Sequence, residues 1–153
     1  MDALGVFAMF FIILSVLNIT WFSAGFWAFS LNAAKFTKIM VPRQLQQGPV
    51  YNVLVEVPRA VGGFNLAFLC LCFAMLVFSD AFAGPLSQAI LFAVISIAHG
   101  TQFFFNLPNA LKDWNNNEPQ WPVLKGPMLF IFIGDFALMV LNAIAAVYLI
   151  LLN

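Results

Sequence analysis

Long apolar stretches alternate with short polar ones along this chain. Residues 3–34, 60–79, 81–111 and 136–153 contain no Asp, Glu, Lys or Arg. A helix needs about 20 apolar residues to cross the hydrocarbon of a bilayer. The pattern therefore predicts four spans, at about 4–34, 58–79, 85–106 and 127–152. The expected fold class is all-α, an integral membrane up-down four-helix bundle forming a single transmembrane domain over 1–153. The first span exceeds the hydrocarbon thickness and is expected to tilt or to project from it, with Trp21 and Trp27 toward its inner, interfacial half. The second begins near Pro58, a favoured first-turn position. Ser79-Asp80 and Gly84-Pro85 mark a short outer turn. The third span stops before Pro108 and the fourth starts at Pro127. Proline density argues against continuous helix in 36–57 and 107–126. The first of these stretches is expected to lie at the interface or fold back on the helices, and the second to be a polar interfacial loop.

Composition narrows the class. Hydrophobic residues make up 63 % of the chain and charged residues 8 %, against about a quarter charged in soluble proteins, so a soluble domain is excluded. The net charge of zero gives no electrostatic reason to expect nucleic acid. The expected partners are membrane lipid and either membrane subunits or further copies of the chain. All six Lys and Arg residues fall in two short stretches: Lys35, Lys38, Arg43 and Arg59, then Lys112 and Lys125. By the positive-inside rule both stretches face the cytoplasm of a cell (inner) membrane and both termini lie outside. The first span has no preceding basic region and no small-residue cleavage site, so it reads as a span and not as a signal peptide. Cys70 and Cys72, two apart on a helix, do not share a face. They read as two buried thiols.

Ionisable residues within membrane spans are costly and are functional candidates. Glu56 and Arg59 stand at the start of the second span, His99 about two turns before the end of the third, and Asp135 about two turns into the fourth. Ser96, His99, Gln102 and Asn106 fall on one helical face. Asp135 and Asn142 share another, as do Arg59, Gly62 and Gly63, where the glycines permit close helix approach. The resulting expectation is a polar cluster open to the cytoplasm, with Arg59 neutralising Glu56 or Asp135 and His99 within reach. Such a cluster serves helix packing, ligand binding or catalysis, and packing alone accounts for it at about 0.6–2 kcal/mol per polar contact. A single histidine falls short of the three or four ligands of common metal sites, so no metal and no cofactor is expected. Asn18 and Asn65 read as packing contacts. No nucleotide loop, nucleophile elbow or metal-binding helix motif is present.

Gly48, Pro49, Tyr51 and Asn52, followed by Glu56, Arg59 and the pair Gly62 and Gly63, resemble an element of small four-helix bacterial membrane proteins of the DoxX-like group. Residues 98–107 carry a second echo, in which His99 matches while Phe103 and Asn106 depart. The resemblance implies the four-span layout and a role beside quinone-coupled or redox partners. The chain also resembles the MAPEG family of glutathione-dependent membrane enzymes in length, layout and the pair Arg59 and Asn65. Phe68 stands where that family has a glutamate, and the basic residues of its fourth helix are missing. Losing cationic contacts weakens binding of an anion such as glutathione.

The leading expectation is a non-enzymatic membrane protein, an accessory subunit or a binder of a small amphipathic or lipid-like ligand. Its candidate site residues are Glu56, Arg59, Ser96, His99, Gln102, Asn106 and Asp135. The competing readings are a MAPEG-like or isomerase-like enzyme using the same cluster and a small oligomeric transporter.

Overall fold

The computed structural model describes residues 3–151, with side chains from residue 9 onward. The terminal residues, to which the expectation of external ends refers, lie outside the described residues. The protein is all-α, and the described residues include no strand. Met9–Leu31, Pro49–Val77, Pro85–Trp114 and Gly126–Leu151 are each long and apolar enough to cross a membrane. Phe64, Phe105, Phe130 and Leu151 are each more than two-thirds exposed. Exposed apolar side chains on this scale suit hydrocarbon and not water. The chain is a four-helix, multi-pass membrane protein, and its helices fall into two compact units, Met1–Val77 and Phe78–Asn153.

The first unit holds α1 (Ala3–Phe26), a π-helical turn (Trp27–Leu31), α2 (Ala33–Met40) and α3 (Pro49–Val77). Helix α1 runs antiparallel to α3: Phe22 stacks on Phe68 at 5.2 Å, Gly25 faces the Asn65 amide, and Ser30 faces Gly62. The Asn32 N–H closes the wide turn by bonding to the Trp27 carbonyl, five residues back, at 2.9 Å. The backbone then leaves the helix at Asn32, so the expected unbroken segment to residue 34 is interrupted there. Gly62 sits so close to Ser30 that a Cβ would overlap it, whereas a Cβ on Gly63 would meet nothing within 4 Å. Only Gly62, not the pair, permits the close approach.

Helix α3 starts at Pro49 and continues through Pro58, correcting the expected start near Pro58. A proline inside a helix has no N–H for the carbonyl four residues earlier, here that of Leu54. The Thr37 hydroxyl on α2 lies 3.4 Å from this carbonyl, although its shorter bond is to the Ala33 carbonyl at 2.8 Å. Tyr51 Oη donates to the Ala34 carbonyl at 3.4 Å. Helix α2 thus docks on the first turns of α3, and these contacts sustain helix in a stretch where proline density opposes it.

The second unit contains a 3-10 turn (Ser79–Phe82), α4 (Pro85–Trp114) and α5 (Gly126–Leu151). Pro85 occupies the start of α4, where its fixed φ suits a helix and its missing N–H costs nothing. Helix α4 passes through Pro108 and ends at Trp114, a second correction. The returning segment explains this extension. Asn109 Oδ1 accepts the Gln120 N–H at 3.0 Å, and Asp113 Oδ2 accepts the N–H groups of Val123 and Leu124 at 2.7 and 3.0 Å. Val123, Asn109 and Ala110 are buried there. Gly126 adopts φ +56°, a left-handed conformation open to glycine at little steric cost, and α5 begins at this residue.

Candidate functional site

The antiparallel pair α4 and α5 brings two ionisable side chains together. His99 Nδ1 lies 3.0 Å from Asp135 Oδ1, and both side chains have no exposed surface. Their neighbours fix the seam. The Ser96 hydroxyl donates to the Met139 carbonyl at 2.8 Å. Gly100 leaves room for the Met139 thioether, which would stand 3.1 Å from a Cβ at that position. Asn142, fully buried, donates to the Leu138 carbonyl at 2.7 Å.

One turn toward the 115–125 loop, an aromatic layer adjoins the pair. Phe103 stacks on Phe132 at 4.6 Å and tilts against Phe136 at 5.1 Å. Beyond it Asn106 accepts from Trp121 Nε1–H at 3.0 Å and donates to the Gln102 carbonyl at 2.9 Å. The four-residue stripe is therefore divided. Ser96 and His99 are buried, while Gln102 and Asn106 are half-buried near the loop. Because α4 runs on to Trp114, His99 lies about four turns from its end, deeper than the expected two.

Arg59 and Glu56 form their own ion pair at 3.0 Å, one turn apart on α3, with side chains 56 % and 61 % exposed. Of the two carboxylates expected to neutralise Arg59, the one beside it is Glu56, and the pair is exposed. Cys72 is buried but Cys70 is exposed, which corrects the reading of two buried thiols. Among the described residues no group of three His, Cys, Asp or Glu side chains converges to hold a metal ion.

The His99–Asp135 pair has simple chemistry. With the carboxylate ionised, the imidazole N–H donates to it. With one proton more, the pair is formally neutral, as imidazolium–carboxylate or as imidazole–carboxylic acid. The site can hold a proton inside an apolar helix pair. Sequence reasoning missed the clamp formed by Asn109, Asp113 and Trp121. The four-residue spacing of Asn109 and Asp113 is its one visible sign. No family model, curated protein or solved structure matches the chain, so the likenesses to the DoxX-like group and the MAPEG family rest on the residues quoted above.

Proposed function

We propose that this membrane protein is a non-enzymatic binder of a small amphipathic or lipid-like ligand, whose polar head engages the His99–Asp135 pair. The observation that carries this reading is the fully buried 3.0 Å contact between the two side chains. A buried ionisable pair is a poor way to hold helices together, since apolar side chains of similar volume often do as well or better. Ionisable groups at such positions in spanning helices point to a function. The basic loops face the cytoplasm in this reading, and the protein lies in the inner membrane.

Native mass spectrometry of the protein released from its own membrane tests the proposal. The wild type should carry a small-molecule adduct, and Asp135→Asn and His99→Gln should lose it while remaining monodisperse. If the variants do not fold, Ser96→Ala, which borders the pair, should weaken the adduct. Two results would overturn the reading: adducts unchanged in all variants, or a bare wild type bound stoichiometrically to another protein, which would make it an accessory subunit. Turnover of the adduct by the purified protein would instead favour the enzyme reading.

A further inference from the structure

The cations of the first unit belong to a different part of the chain from the His99–Asp135 pair, which lies in the second unit. Lys35 and Lys38 on α2 and Arg43 in the following turn are all exposed. Residues 32–55 contain no carboxylate, and the nearest one along the chain, Glu56, is engaged by Arg59. Among the described residues these three cations form no ion pair. The segment bearing them is firmly folded. Ala33, Phe36 and Thr37 are buried on one face of α2, and Phe36 meets Phe29 edge-on at 4.5 Å. The Gln46 side-chain amide donates to the carbonyls of Val41 and Lys38 at 2.7 and 3.2 Å. That amide ties down the C-terminal end of α2 and covers carbonyl oxygens that would repel an anion. The opposite face carries Lys35, Lys38 and the exposed Ile39, and Leu31 and Leu45 are exposed nearby.

We propose that α2 and its following turn form a docking site for anionic phospholipids, with Lys35, Lys38 and Arg43 holding the headgroup phosphate and Ile39, Leu31 and Leu45 lying against the acyl chains. Charge complementarity carries the assignment: three unpaired cations within nine residues, on an amphipathic helix at the end of a membrane span, face the surface where anionic headgroups lie. A zwitterionic lipid offers the same phosphate together with a cation that opposes them. The fixed backbone leaves only the three side chains to be ordered on binding.

The test is native mass spectrometry of the purified full chain titrated with phosphatidylglycerol or with phosphatidylcholine of the same acyl chains. The wild type should bind phosphatidylglycerol the more tightly. Lys35→Gln, Lys38→Gln and Arg43→Gln should each lower that affinity about five-fold, and the triple variant should abolish the preference. Lys112→Gln with Lys125→Gln, in the other basic stretch, should leave it intact. If the triple variant fails to fold, the single changes on exposed positions give the same reading, and Lys35→Arg with Lys38→Arg should retain binding. Equal binding of the two lipids by the wild type would overturn the proposal, as would a preference that survives the triple change. Equally decisive against it would be displacement of phosphatidylglycerol by millimolar glycerol 3-phosphate, which would identify a soluble phosphate ligand.

Discussion

Asp135 illustrates how one side chain depends on its neighbour. Buried without a counter-group it would be an uncompensated charge; beside His99 it has one at 3.0 Å. His99→Leu should therefore destabilise the detergent-solubilised protein by about 3 kcal/mol or more, while His99→Leu with Asp135→Leu should recover most of the loss. Thermal unfolding followed by size-exclusion chromatography measures both, and equal losses in the single and double variants would contradict the coupling. Arg59 differs. Its partner is half-exposed, and a one-turn pair of this kind contributes about 0.2–0.5 kcal/mol. Arg59→Ala should lower the melting temperature only slightly, and a large drop would mean that the pair holds more than its own helix.

At the scale of elements, prolines set the limit of sequence reading. The four apolar runs are plain in the sequence because hydrocarbon demands about 20 apolar residues from each. The ends of α3 and α4 are not, because Pro58 and Pro108 argue locally for a stop that contacts from distant residues override. Ala34 and Thr37 of α2 engage α3, while Gln120, Val123 and Leu124 engage α4 through Asn109 and Asp113. A double-mutant cycle checks the first case. Thr37→Val should cost about 1 kcal/mol in the native chain and less in a Pro58→Ala background, where residue 58 again has an N–H to offer Leu54. An unchanged cost would show that the hydroxyl serves Ala33 alone. The glycines give a sharper contrast. Gly62→Ala should destabilise the α1–α3 pair by about 1–3 kcal/mol through overpacking. Gly63→Ala, with open space around it, should be neutral or slightly stabilising through helix propensity, and the two melting temperatures decide the matter.

For the whole molecule, the charge pattern predicts a topology. With both basic stretches inside, a single cysteine at Asn117, placed in a Cys70- and Cys72-free background, should resist an impermeant thiol reagent added to intact cells and react in inverted vesicles. Labelling from outside would reverse the orientation. The helical spacing of Ser96 and His99, together with a comparison of depths, brings Asp135 level with His99 from sequence alone. Periodicity could not foresee that Trp121 returns to engage Asn106 or that Phe103, Phe132 and Phe136 intervene. Those contacts depend on the path of a loop, which no helical repeat encodes.

The wide turn at Trp27–Leu31 amounts to one residue more than an α-helix needs. Removing Ala28 would let the helix run on regularly, which by local criteria improves it. The deletion would leave both flanks in phase, because the wide turn already absorbs the extra residue. Tightening the turn with every residue kept would instead rotate everything before it by about 100° relative to Ser30. Phe22 would then turn away from Phe68 while Ser30 kept its place against Gly62. The wide turn thus acts as a phase-corrector, bringing both ends of one span into register with a single partner.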